Sequence, residues 1–198
     1  MIGVLDYGMG NIHSILKALR RFDPDVVFSR DADLLARSRA LVLPGDGAFC
    51  AAMENLTASG LDVFLRDWAG KDLPLLGICI GFQVLFEDST EDAPQGMPGL
   101  AILPGKIRRF AFSNSTRVPH MGWNRLIDAD GSIKDYMYFV HSYHAKDVPR
   151  EIIEYCCRYD SCLFPAAVRR GRLMAYQFHP EKSGKRGLQL LENWVKSI

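Results

Sequence analysis

With 198 residues, 48% of them hydrophobic and 24% charged, the chain has the make-up of an ordinary folded protein and is long enough to bury a core without disulfide or metal staples. Lys plus Arg total 24 against 23 Asp plus Glu, a net charge of +1, which lacks the basic footprint of a nucleic-acid binder. The longest uncharged run, residues 73–86, contains Pro74 and falls short of the roughly 20 residues a membrane helix needs, so no membrane partner is expected.

Short apolar runs closed by Gly, Pro or Asp alternate early with segments of helical spacing, the signature of a parallel α/β sheet. Residues 2–5 predict the first strand, and Asn11 is placed to cap a helix whose Ile12, Ile15, Leu16 and Leu19 share one face. Residues 26–28, 40–43 and 75–78 predict further strands, whose continuous apolar character suits a sheet covered on both faces. A long loop is expected over residues 88–98. From about residue 105 short strands crowd together, at 106–112, 118–126, 137–142, 152–158 and 173–178, and these are expected to extend the same sheet in antiparallel fashion. A last helix is predicted from about Lys185, with Leu188, Leu191, Trp194, Val195 and Ile198 as its apolar stripe and Ser183 as its cap. One domain is expected over residues 1–198. The opening Met1-Ile2-Gly3-Val4 lacks the basic leader of a signal peptide, and five cysteines, an odd number, fit free thiols in a reducing cytosol.

Gly77-Ile78-Cys79-Ile80-Gly81 follows an apolar strand and precedes a helical segment, which matches the strand-to-helix elbow that presents a nucleophile, with cysteine in the serine position. The glycines relieve crowding at such a turn, and a helix N-terminus favours the thiolate. A buried, inert cysteine beside packing glycines is the other reading of this motif alone. Further on, His179 and Glu181 stand two residues apart around Pro180, a spacing that puts both side chains on one face of an extended chain. A carboxylate beside an imidazole sets its tautomer and favours its protonated form, as in an acid/base with its orienting group. The conjunction with Cys79 separates this pair from a chance surface sequence.

Together with the segments 6–11, 44–49, 119–124, 139–143 and 177–183, these motifs resemble the class I, triad-type glutamine amidotransferases. The resemblance covers essentially the whole chain. It implies a flavodoxin-like α/β fold, with a central, mostly parallel sheet flanked by helices and an antiparallel extension. It also implies hydrolysis of L-glutamine by Cys79, His179 and Glu181, and delivery of the ammonia to a cyclase subunit in a heterodimer. Gly47 and Ile80 are the implied oxyanion donors. Gly45, Gln83, Glu87, His141, Ser142 and Tyr143 are implied to bind glutamine, and no cofactor is called for. Asn11, Met121, Trp123, Tyr138 and Lys182 match positions at or near the partner interface.

Several of these residues also have plainer readings. Gln83 and Glu87 lie four and eight residues beyond Cys79, so one continuous helix would bring all three to the same side, yet each also suits a solvated helix face. His141 equally suits a hydrogen-bonded core position, and Trp123 suits packing on its own hairpin. Asp46 replaces the Val usual in this segment, and is expected to point away from the developing oxyanion. Cys156, Cys157 and Cys162 lack the spacing of a metal clamp, so no metal site is expected. A different ammonia acceptor, a non-catalytic subunit of the same fold and a thioesterase are the alternative functions.

Overall fold

The computed structural model describes residues 1–10, 12–93, 95–111 and 117–198, so Asn11 and its expected capping role lie outside the described residues. In chain order the elements are β1 (Ile2–Leu5), α1 (Ile12–Leu19), β2 (Val26–Ser29), α2 (Ala32–Leu35), β3 (Ala40–Leu43), α3 (Phe49–Ala58), α4 (Leu61–Gly70), β4 (Leu75–Ile78) and α5 (Ile80–Gln83). They continue with β5 (Asp88–Ser89), β6 (Met97–Pro98), β7 (Lys106–Arg109), β8 (His120–Ile127), β9 (Ile133–His141) and β10 (Tyr143–Lys146). The chain ends with β11 (Ile153–Tyr159), β12 (Cys162–Arg170), β13 (Leu173–Tyr176) and α6 (Gly184–Ser197).

Nine strands form one sheet in the order β2-β1-β3-β4-β13-β12-β11-β8-β9. The first five pair in parallel, and β13, β12, β11, β8 and β9 follow one another antiparallel. Strand alternation divides the core into two layers. Leu5, Leu41, Leu43 and Leu75 pack with residues of α3 and α4, including Phe49, Met53, Leu61 and Leu65. Ile2, Val4, Val42, Leu76 and Ile78 face the other way, against Ile15 and Leu19 of α1 and Leu191 and Trp194 of α6. Because β1, β3, β4 and β13 are buried along their whole length, their sequences read as unbroken apolar runs.

Several expectations change here; β13, expected in the antiparallel extension, pairs antiparallel with β12 but parallel with β4. Strand β7, expected in the antiparallel extension, instead joins a second sheet in the order β10-β7-β5-β6, where Ile107 and Ala145 pack into the core layer of α3 and α4. The stretch expected as a long loop supplies the short strands β5 and β6 of that sheet. Strand β12 has no counterpart in the sequence reading, because Pro165 demotes its run; the sheet tolerates that proline opposite Cys156, where the pairing register shifts. The final helix forms as expected, but Ser183 does not cap it with its side chain. Its hydroxyl donates to the His179 carbonyl at 2.6 Å and accepts from Tyr138 N–H at 2.9 Å, tying the segment that carries His179 to β9.

Candidate active site

The parallel strands β4 and β13 end side by side, Ile78 being paired with Tyr176, so residues that immediately follow them meet at one sheet edge. Cys79 follows β4, and His179 and Glu181 follow β13 across 100 residues of chain. Cys79 adopts φ 56°, a left-handed conformation costly for a side chain with a Cβ, and α5 begins immediately after it. The turn is possible because its neighbours are glycines. A Cβ on Gly81 would lie 1.9 Å from the Leu43 carbonyl oxygen, and one on Gly77 2.7 Å from the Gly81 oxygen.

Glu181 accepts a hydrogen bond from His179 Nδ1 at 2.8 Å, with both side chains only 4% exposed. The opposite ring nitrogen, Nε2, is buried without a hydrogen-bond partner of its own among the described residues, and Cys79 adjoins it. Burial disfavours charge on this ring, but Cys79 and Glu181 together outweigh it and push the His179 pKa up to about 10. The arrangement leaves Nε2 of a ring held by Glu181 free to exchange a proton on the side where Cys79 lies.

A cavity of about 200 Å³ opens beside the sulfur, lined among others by Gly47, Ile80, Gln83, Glu91, His141 and Tyr143. Ile80 is the first residue of α5, so its N–H has no partner within the helix. Gly47 has φ +106°, a conformation open to glycine, and Met9 packs against it. Gly45 does not line this cavity. It is packed beneath it, where a Cβ would come 2.6 Å from Ile80 Cβ. Tyr7 donates to the Pro44 carbonyl and anchors the start of this segment; burial, with the charges of Cys79 and Asp46, raises its pKa. Asp46 is exposed and lies at the cavity rim.

Gln83 is buried, not solvated, and its Nε2 donates to Tyr143 O and to Gln177 Oε1, both at 3.0 Å. Glu87 does not join it. Helix α5 stops at Gln83: Leu85 and Phe86 N–H tighten to the Phe82 and Gln83 carbonyls, Glu87 N–H goes to the Gly105 carbonyl, and the carbonyls of Val84, Leu85, Phe86 and Glu87 accept from Leu100, Leu103, Ala101 and Gly99. Glu87 is exposed and faces a different hollow. Besides the exposed Asp46, the carboxylate at the cavity is Glu91, which accepts from Phe49 N–H at 2.8 Å and whose pKa is raised, chiefly by burial. The sequence carried no local signal for it, since it lies in the stretch read as a loop.

The chain matches the glutamine amidotransferase class-I family over residues 3–198. It is 43% identical to the imidazole glycerol phosphate synthase subunit HisH of Shouchella clausii (strain KSM-K16), covering 100% of this chain and 99% of that protein. The HisH subunit of Prochlorococcus marinus subsp. pastoris is 40% identical, over 100% and 98%. The chain belongs to the class-I glutamine amidotransferases. Its fold is also that of a solved glutamine amidotransferase (TM-score 0.77, 22% identity, 100% and 99% covered) and of PurLQS from Thermotoga maritima (TM-score 0.69, 16% identity, 99% and 97% covered).

In this amidotransferase, Met121 and Trp123 project from β8 and are 62% and 57% exposed. The Trp123 ring meets Tyr138 of the neighbouring strand edge-on at 6.2 Å, so it packs on its hairpin while leaving most of its surface open. Tyr138, which pairs with Trp123, and Lys182 are half-buried, and Tyr138 O receives His179 N–H at 3.0 Å. Among the described residues no group of three or more His, Cys, Asp or Glu could hold a metal, and no helix is long and apolar enough to cross a membrane.

His141 is buried and hydrogen-bonded on both ring nitrogens, to His120 at 3.0 Å and to Tyr143 O at 2.7 Å. Burial holds the pKa of His120 down to about 4 and depresses those of His141 and His144 as well. Their ordinary value is 6.5, so unfolding takes up protons below it, and stability falls as the pH drops from about 6.5 towards 4. His120 alone contributes about 2 kcal/mol of this loss after allowance for solvent screening. The raised pKa of His179 has the opposite sign, but its contribution is complete by pH 6.5 and constant below. Urea midpoints measured across this window should fall for the unaltered protein and flatten in His120→Phe; equal slopes would show that His120 is not buried in its neutral form.

Proposed function

We propose that this chain is the glutaminase subunit of imidazole glycerol phosphate synthase, a one-domain enzyme over residues 1–198 that hydrolyses L-glutamine and hands the ammonia to a cyclase subunit in histidine biosynthesis. The reading is carried by His179, held by Glu181 and adjoining Cys79, whose side chain lines a small cavity with Gln83, Glu91 and Tyr143. Cys79 thiolate attacks the carboxamide carbon, and Ile80 N–H and the Gly47 segment receive the oxyanion. His179 protonates the departing nitrogen, the C–N bond breaks, and a glutamyl thioester is left on Cys79. His179 then takes a proton from water, which attacks the thioester and releases glutamate and the thiolate.

Glutamine's other end supplies the selectivity. Glu91 takes the α-ammonium, whose charge offsets the cost of burying that carboxylate, while Gln83 and the chain at Ser142 and Tyr143 define the far wall. Met121, Trp123, Tyr138 and Lys182 form the side on which the cyclase docks, the exposed Trp123 being the anchor. Five free cysteines fit a cytosolic location.

Glutamate release should be slow for the chain alone, rise when an imidazole glycerol phosphate synthase cyclase subunit and its nucleotide ligand are added, and vanish in Cys79→Ala. Cys79-dependent activity indifferent to that cyclase would keep the chemistry and redirect the ammonia to another acceptor. No activity in either setting would sink the glutaminase reading.

A further inference from the structure

Behind the cavity wall lies a line of side chains whose hydrogen bonds run in one direction. Tyr143 O is a carbonyl and only accepts, so the 2.7 Å contact from His141 places the proton on Nδ1. In a neutral ring, His141 Nε2 must then accept, and its partner at 3.0 Å, His120 Nδ1, must donate. His120 Nε2 is in turn left as an acceptor, and Asn124 Nδ2 supplies the donor at 3.1 Å. The second proton of that amide goes to Arg158 O at 3.0 Å, and Asn124 Oδ1 accepts from Arg125 N–H at 2.7 Å. Every donor and acceptor in the line is used, and reversing any link would set two acceptors or two donors face to face.

The line ends on the substrate cavity. Tyr143 O also receives Gln83 Nε2, and both residues line the cavity with Cys79. The His120 ring is fixed besides by stacking on Tyr159 at 4.1 Å and Phe139 at 4.8 Å. Along β8, His120 and Asn124 turn inward while Met121 and Trp123 turn to solvent, so the strand that carries the exposed aromatic also carries the first two members of the line.

We propose that Asn124 and His120 are positioning residues for glutamine: through His141 they hold the Tyr143 carbonyl, and with it the Gln83 wall of the cavity, in its binding position. The proposal rests on the glutaminase reading above. None of the groups in the line touches the reacting amide, so its loss weakens the binding of ground state and transition state alike, raising KM while leaving kcat.

Asn124→Asp tests this with almost no change of shape. A carboxylate can only accept, so it turns His120 to the Nε2–H form, turns His141 likewise, and leaves Tyr143 O facing an unprotonated His141 Nδ1, with Gln83 Nε2 as its remaining donor. With the cyclase and its ligand present, KM for glutamine should rise about tenfold in Asn124→Asp, with kcat nearly retained. His120→Phe, which keeps the stacking, should behave the same way, and His120→Asn, whose amide can replace the Nδ1–H donor, should recover most of the affinity. Nitrogen NMR of the unaltered chain labelled in histidine should show His120 and His141 both protonated on Nδ1, and Asn124→Asp should move both protons to Nε2.

A fall in kcat at unchanged KM would mean merely that less protein is folded, and would overturn the role. So would Nε2–H tautomers in the unaltered chain, or variants whose tautomers switch while glutamine binding does not change. An unaltered chain that hydrolyses no glutamine with its cyclase overturns the functional reading and this role together; one that is active yet indifferent to all three substitutions overturns this role alone.

Discussion

Glu181→Gln lowers glutaminase turnover by about 10³- to 10⁴-fold, with KM for glutamine little changed. Glu181 accepts the Nδ1 proton of His179 at 2.8 Å in a site where both side chains are almost wholly buried. An amide in its place can present N–H instead of oxygen to Nδ1, which drives the remaining proton to Nε2, where it blocks uptake of the proton from Cys79. The substitution also removes one of the two groups that raise the His179 pKa, leaving burial to favour the neutral ring and the uncharged thiol. Two measurements check this: steady-state glutamate release with the cyclase bound, and the rate at which a glutamine-like electrophile alkylates Cys79. Both should drop together. A loss of less than about tenfold would show that Glu181 does not set the tautomer of His179.

Gly81→Ala is the most damaging single methyl group expected in the chain. Its Cβ would stand 1.9 Å from the Leu43 oxygen and 2.7 Å from the Leu43 carbon. Both are backbone atoms of a buried strand and cannot swing aside, so either β3 or the elbow must move. A cost of about 3 kcal/mol or more follows, enough to lower the melting temperature by on the order of 10 °C in a protein of this size. Gly70→Ala makes the contrast, because nothing lies within 4 Å of its Cβ and its φ, at the last residue of α4, is one that alanine adopts without strain. A thermal melt of Gly81→Ala within about 2 °C of the unaltered protein would show that the close approach of elbow and strand is not required. A variant too unstable to purify agrees with the prediction only if Gly70→Ala is recovered normally.

Four of the five parallel strands were legible in the sequence because burial on both faces writes unbroken apolar runs, as in residues 40–43 and 75–78; β13, read as part of the antiparallel extension, pairs in parallel with β4. The antiparallel half was less so. Strand β12 contains Pro165, and β7 has the same strand character whichever sheet it joins, so composition alone could not assign its partner β10. At the site, what is local in the chain was readable: the elbow glycines flank Cys79, and the His179–Glu181 pair is two residues long.

Tertiary structure decided the remainder, and the difference between Glu87 and Glu91 shows why. Helical periodicity assumes that a helix continues, and nothing between Gln83 and Glu87 is a helix breaker. The helix ends where Glu87 N–H is claimed by the Gly105 carbonyl and the carbonyls of residues 84–87 by residues 99–103, bonds formed only once that segment has folded back. The chain then turns Glu87 outward and brings Glu91 to the cavity. The same holds for the line from Asn124 to Tyr143, whose members come from different strands and whose proton order follows from their contacts. The sequence by itself determined the first four strands of the parallel half and brought forward Cys79, His179 and Glu181 as candidates for nucleophile, base and orienting group, because these are written in neighbouring residues. Which carboxylate, which amide and which imidazole face the glutamine cavity was decided by long-range hydrogen bonds that no window of sequence contains.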